Sequence, residues 1–349
     1  MKIALVGYGG MGQHHCRSIR YAKEHGFIDV EVKGIFDIDE EKRSKAKEEG
    51  YYIYRDLEEA VSDPEISAIL IATPNDVHLP VAVAAATHKK HILCEKPIAC
   101  SLEEAKKMYA VAEENGVELS VHQNRRYDKD YLTVCEIVRS GMIGDVYRIE
   151  SVVAGSNGIP GAWRKIKAQG GGMMLDWGVH LIDQMQVFFG TPDGISCRYS
   201  YNAGEEVDDG FDCILDYDKK TEIRINVDTN CFVPRARWTL FGNEGTAIIR
   251  DWDLNGEVIR VKQRHDDKLK GITAGNGMTK TMAGRREETI ERMPLPEVEF
   301  VPYLYYTNLE KIVKGEAKPI AKKEEVLSVM NIMEQTFISS ENKGNNINL

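Results

Sequence analysis

Lys2-Ile3-Ala4-Leu5-Val6-Gly7-Tyr8-Gly9-Gly10-Met11-Gly12 decides the fold. Five residues read as a buried strand, a glycine loop follows, and a helical stretch runs from about residue 13 to residue 25. A strand, a Gly-x-Gly-x-x-Gly loop and a helix open a βαβ unit that lays a pyrophosphate on the helix N-terminus. Gly7 permits the tight turn, Gly9 lets backbone approach phosphate, and Gly12 lets helix and strand touch. Tyr8, Gly10 and Met11 complete the expected cofactor loop. Residues 30–36 form a second strand ending in Asp37, 25 residues beyond Gly12. A carboxylate there accepts from ribose hydroxyls and repels a 2′-phosphate, which favours NAD over NADP. Lys42 and Arg43 soften that exclusion.

The same alternation continues outward. Helix 40–49, strand 66–72, helix 77–87, a strand ending at Lys96, a helix capped by Ser101 and Glu104, and strand 118–122 predict a doubly wound parallel sheet. After about residue 124 the pattern changes. Helix 129–140, strand 146–153 and a helix from about 173 to 189 precede six strand-like runs between 196 and 263 without intervening helices. That predicts an α+β domain with a large, mostly antiparallel sheet. The expected division is 1–123 and 124–349, with a final helix at 323–340 packing back on the first domain. Residues 264–294 read as a polar surface insertion, with a lid or subunit contact as the sharper alternative.

At 349 residues, two domains are expected. A net charge of −10 argues against a nucleic-acid binder or a basic membrane-surface protein, and no apolar run reaches transmembrane length. Seven scattered cysteines without a C-x-x-C exclude a disulfide framework or a cysteine-rich zinc site. The N-terminus lacks the pattern of a signal peptide, so a cytoplasmic location is expected.

Two stretches carry chemistry. Glu95-Lys96-Pro97 ends an apolar strand, at the edge where open parallel sheets bind ligands. Pro97 biases Lys96 toward an extended backbone. Thr73-Pro74-Asn75 and His78 follow the third strand and are expected over the cofactor, with helix capping as the alternative for Asn75. Gly170-Gly171-Gly172 precedes Asp176, His180 and Asp183, which share one face of a regular helix. Such a face suits acid–base work on a hydroxyl; a divalent metal site and a buried salt link are the alternatives. A neutral histidine takes the hydroxyl proton, a carboxylate holds its tautomer, and Lys96 donates to the oxygen.

On the glycine loop, Ala72-Thr73-Pro74-Asn75 with His78, His91 through Pro97, Gly170-Gly171-Gly172 and Asp176-x-Gly178-x-His180-x-x-Asp183, the chain resembles the glucose–fructose oxidoreductase / inositol dehydrogenase (Gfo/Idh/MocA) family over nearly its whole length. The resemblance implies a Rossmann domain followed by a sheet domain whose open face joins subunits, hence a homo-oligomer (dimer, tetramer or higher). It implies Lys96, Asp176 and His180 as the catalytic set, with His180 as base, Lys96 touching both nicotinamide ribose and substrate oxygen, and Asp176 orienting and binding substrate. It places Trp163 and Arg164 beside nicotinamide and substrate, and Gln123 at the domain crossover. Arg126 and Tyr127 would meet substrate hydroxyls, and no resident metal is expected. The implied activity is NAD-dependent oxidation of a sugar, cyclitol or glycoside hydroxyl, including the 3-position of a glycoside. An NAD-recycling glycosidase and a non-catalytic NAD-sensing regulator are the alternatives.

Overall fold

The computed structural model describes residues 1–218, 220–265, 268 and 270–349. Its first half alternates β1 (Lys2–Val6), α1 (Gly10–Glu24), β2 (Glu31–Phe36), α2 (Glu40–Glu48), β3 (Tyr52–Ile53), α3 (Leu57–Ser62), β4 (Ile66–Ile71), α4 (His78–Thr87), β5 (His91–Cys94), α5 (Leu102–Glu114) and β6 (Leu119–Val121). All six strands are parallel, in the order β3-β2-β1-β4-β5-β6. Side chains alternate across this sheet: Ile3 and Leu5 join one apolar cluster, Ala4 and Val6 the other. The short β3 and α3 have no counterpart in the sequence reading, because two and six residues are too few to show a period.

The second half contains α6 (Lys129–Ser140), β7 (Val146–Ala154), α7 (Val179–Phe189), β8 (Gly194–Ser200), β9 (Gly210–Tyr217), β10 (Thr221–Asp228), β11 (Trp238–Gly242), β12 (Gly245–Ile249), β13 (Gly256–Val261), β14 (Ile272–Ala274), β15 (Gly277–Thr279), β16 (Ile290–Met293), α8 (Leu304–Val313), α9 (Lys323–Glu341) and β17 (Ile347–Asn348). Nine of these strands form one sheet, β16-β13-β12-β11-β7-β10-β9-β8-β17. Its pairs are antiparallel except β7 with β10. The α/β class and the mostly antiparallel second sheet therefore stand as read.

The 264–294 stretch is divided. Residues 266, 267 and 269 lie outside the described residues; β14 and β15 form a hairpin, and β16 is the edge strand of the large sheet beside β13. The final helices bind the two sheets together. Tyr306 and Leu309 of α8 join the cluster of Ile3, Leu5, Ile35 and Leu70, whereas α9 lies against α5, α7 and β8. Among the described residues no helix is long and apolar enough to cross a membrane.

Candidate active site

A cleft of about 730 Å³ opens at the carboxyl edge of the parallel sheet, where the strand order reverses between β1 and β4. Gly7, Gly9, Gly10 and Met11 line it, with Asp37 and Lys42 beyond β2 and Lys96, Trp163, Arg164 and Asp176 toward β5. Gly7 has a φ of +96°, and a Cβ there would meet the Ala72 carbonyl oxygen at 2.6 Å. At Gly12 a Cβ would lie 2.1 Å from the Gly7 oxygen, so strand and helix touch as the motif requires. A Cβ at Gly9 or Gly10 would meet nothing within 4 Å, which leaves this side of the loop free for a ligand. Asp37 accepts hydrogen bonds from the backbone of Tyr8 (2.6 Å) and Asp39 (2.9 Å). Thr73 Oγ1 is buried and has no partner within the protein. A glycine loop, a strand-end carboxylate and an unpaired hydroxyl fit a dinucleotide.

Several expected cofactor residues brace the frame of the cleft, and Asn75 among them also lines it. The Tyr8 ring is buried and its hydroxyl donates to Glu49, so only its backbone belongs to the loop. His78 is fully buried; its ring nitrogens face the carbonyls of Thr73, Pro97 and Ile98 at 3.1 Å, bracing two cleft loops. Asn75 does not cap the following helix but donates to the Gly170 carbonyl (2.9 Å), tying this loop to the glycine run. Gln123 is buried, its carbonyl accepting from Tyr305.

Lys96 reaches across the cleft. Its Nζ donates to the Asp176 carbonyl at 2.8 Å and to the Asp176 carboxylate at 3.2 Å. Arg164 Nε lies 3.1 Å from the same Oδ1, close enough for an ion pair although its N–H is not aimed for a hydrogen bond. The guanidinium also sits 4.5 Å from the centre of the Trp163 ring. Burial pushes the Asp176 pKa up, but Lys96 and Arg164 outweigh it and leave the carboxyl below its ordinary value.

His180 is 5 % exposed, and its Nδ1 is buried without a partner. Burial lowers its pKa well below the ordinary imidazole value, and Lys96 and Arg125 lower it further. The imidazole is therefore neutral at neutral pH, as a base requires. No carboxylate of the motif holds it. Residues Met174–Gly178 form a π-turn, with the Val179 N–H donating to Met174, and this resets the i, i+4 spacing. Asp176 faces Lys96 and Arg164, while Asp183 faces Arg126, so the two carboxylates expected beside His180 serve other partners.

Arg126 corrects a second expectation. Its Nε and Nη2 each donate to Asp183 at 2.7 Å, and Nη1 donates to Glu325 at 2.6 Å. The guanidinium is thereby engaged by two carboxylates in a buried ion pair and does not line the cleft. Tyr127 is half-buried, edge-on to Tyr305 at 6.0 Å.

Two features escaped the sequence reading. Glu95 Oε1 accepts from His15 Nε2 (2.8 Å) and His122 Nδ1 (2.9 Å), while Oε2 accepts the Lys96 N–H. Burial raises the Glu95 pKa, but the two imidazoles outweigh it and hold the carboxyl well below its usual value. Donor atoms of these three residues lie within 4.8 Å of one another, as a metal site would also need. Both nitrogens already face one oxygen at hydrogen-bond distance, which describes a hydrogen-bonded cluster. The second feature is a stack: the Arg125 guanidinium lies 4.2 Å from the Trp177 ring and 5.6 Å from the Trp252 ring, and Trp177 is edge-on to His180. The position of His122 at a strand end was the available signal for the first; nothing local announces the second.

Comparison with known proteins agrees with this fold. Residues 1–123 match the family described as "Oxidoreductase family, NAD-binding Rossmann fold", and residues 131–248 match the "GFO/IDH/MocA C-terminal domain". The chain is 30% identical to an uncharacterized oxidoreductase of Schizosaccharomyces pombe over 83% of each chain. It is 27% identical to the scyllo-inositol 2-dehydrogenase (NADP(+)) of Bacillus subtilis, over 98% of this chain and 94% of that one. The crystal structure of an NAD-binding protein from Listeria innocua superposes with a TM-score of 0.93 at 38% identity, covering 100% and 99% of the two chains.

Proposed function

The chain belongs to the Gfo/Idh/MocA family of oxidoreductases with an NAD(P)-binding Rossmann fold, and from that premise we propose that it transfers a hydride reversibly between a secondary hydroxyl of a sugar, glycoside or cyclitol and NAD. The observation that carries this reading is the Lys96–Asp176 contact beside a buried, neutral His180, on a cleft floored by the glycine loop.

The nicotinamide, when bound, supplies the hydride acceptor. The chain's own groups handle the oxygen and its proton. Lys96 donates a hydrogen bond to the substrate oxygen and stabilises negative charge there as the O–H bond breaks. His180 receives the proton. Asp176 holds Lys96 and Arg164 through Oδ1, and its second oxygen is available to accept from a neighbouring hydroxyl. Polyols fit such a site because they present adjacent hydroxyls; the 3-position of a glycoside is one such target. The Asp37 carboxylate at the end of β2 supports NAD over NADP.

A homo-oligomer through the large sheet belongs to the same proposal; Tyr147 on β7 and Phe232 and Val233 beyond β10 supply exposed apolar surface for it. Light scattering tests the assembly. Absorbance at 340 nm with NAD and a panel of inositols, sugars and glycosides tests the chemistry. NADH formation with at least one of them is expected, and no turnover with any polyol would sink the reading.

A further inference from the structure

Resting on that dehydrogenase reading, we propose that Asp208, a buried carboxylate that does not line the cleft, is the positioning residue that sets Asp176 against Lys96 and Arg164. Asp208 stands just before β9 and is 4 % exposed. Its Oδ2 accepts from the Met174 N–H at 2.8 Å, and its main-chain carbonyl accepts from the Met173 N–H at 3.0 Å. These donors open the helical run that passes through Asp176 into α7. The first N–H groups of a helix find no partner inside it, and a carboxylate there also meets the positive end of the helix dipole.

Gly172 ties the two cleft residues to this carboxylate. Its N–H donates to the Arg164 carbonyl at 2.9 Å, and its own carbonyl accepts from the Asp176 N–H at 3.0 Å. A Cβ on Gly172 would lie 2.2 Å from Asp208 Oδ1, so the backbone is pressed against the carboxylate with no room for a side chain. At Gly171 a Cβ would lie 2.3 Å from the Arg164 carbonyl oxygen. Close packing of the Arg164 loop, the π-turn and Asp208 thus requires glycine at both positions. Arg164 and Asp176, whose side chains meet at 3.1 Å in the cleft, hang from one residue whose place Asp208 fixes. The residues before Asp208 grip the same loop: Lys165 Nζ donates to Glu205 at 2.8 Å, and the Lys167 N–H donates to Glu206 at 2.6 Å. Asp209, next along the chain, takes no part, because its carboxylate accepts from the Ala203 N–H.

A carboxylate that only capped the helix would add stability and leave the cleft as it is. Labelling of Lys96 separates the two roles and requires no substrate. Asp176 holds the Lys96 ammonium by two oxygens, so a displaced Asp176 releases the amine. Acylation of the full chain with acetic anhydride, read by peptide mass spectrometry, should reach Lys96 several-fold faster in Asp208→Ala. Lys107, paired with Glu103 on the surface of α5, serves as the internal reference. Asp208→Asn keeps an acceptor for the Met174 N–H and should return Lys96 to the wild-type rate. Asp208→Glu keeps the charge but is one methylene longer, so it shifts the turn and should also speed labelling; it takes the place of alanine if that variant does not fold. Unchanged labelling of Lys96 in a folded Ala or Glu variant would overturn the proposal.

Kinetics on any polyol the wild type oxidises give the second arm. A misplaced Asp176 should lower kcat/KM about tenfold to a hundredfold. NADH should still bind, because the glycine loop at 7–12 is untouched. Since Asp208 acts through Asp176, the same substitution in an Asp176→Asn background should add little further loss, which is the mark of two residues working as a unit. An equal loss in both backgrounds, or an unchanged kcat/KM in the wild-type background, would overturn the proposal. A wild type that turns over no polyol would remove the dehydrogenase reading instead, and the labelling of Lys96 would still decide the role of Asp208.

Discussion

The Lys96 ammonium holds Asp176 by two atoms, the backbone carbonyl at 2.8 Å and the carboxylate at 3.2 Å. One side chain thereby joins the end of β5 to the π-turn before α7. It brings the cofactor cleft of one half of the chain to the acid–base helix of the other.

Replacing Lys96 by Met removes the charge and donor while keeping most of the stem. We expect kcat to fall by about 10² to 10⁴, the range for a lost general acid–base group. NADH should still bind, read by fluorescence, because the glycine loop and Asp37 remain intact, so the loss falls on kcat.

His180 sets the pH dependence of oxidation. Burial lowers its pKa well below the ordinary value of 6.5, with Lys96 and Arg125 adding to the effect. The base form therefore persists as pH falls below 6.5, and the acid limb of kcat should lie below that of a free imidazole. Arg125→Met removes one of the lowering charges, so its acid limb should move upward. A profile measured from pH 4.5 to 9 in both proteins checks the sign.

Arg126 and Asp183 affect stability. Arg126→Met leaves a buried carboxylate without its two-pronged partner, and should cost about 3–5 kcal/mol of folding free energy. Urea unfolding measures it. Adding Asp183→Leu should recover part of the loss, since the unpaired charge is then gone. Arg126 is not among the residues lining the cleft, so the folded fraction should keep its KM for substrate.

Cofactor choice turns on Asp37. Its carboxylate lines the cleft, and Lys42 Nζ stands 4.0 Å from Oδ1. Asp37→Ser removes the repulsion of a 2′-phosphate and leaves Lys42 to attract it. The ratio of kcat/KM for NAD to that for NADP should fall at least about tenfold, equivalent to about 1.4 kcal/mol.

The amino-acid sequence alone determined whatever depends on neighbours along the chain. The apolar run Ile3-Ala4-Leu5-Val6, the glycine spacing at 7–12 and the strand-end positions of Asp37 and Lys96 are local patterns, and they are enough to specify a parallel sheet and its binding edge. Charge pairing was decided only by tertiary structure. Arg126 meets Glu325 from 199 residues away, and His15 meets Glu95 from 80. Within Asp176, His180 and Asp183, the π-turn resets the spacing between Asp176 and His180, and the two carboxylates meet different cations. Periodicity says which face a residue occupies; which charge it meets depends on how the elements are set against one another, and burial then makes that choice energetically decisive.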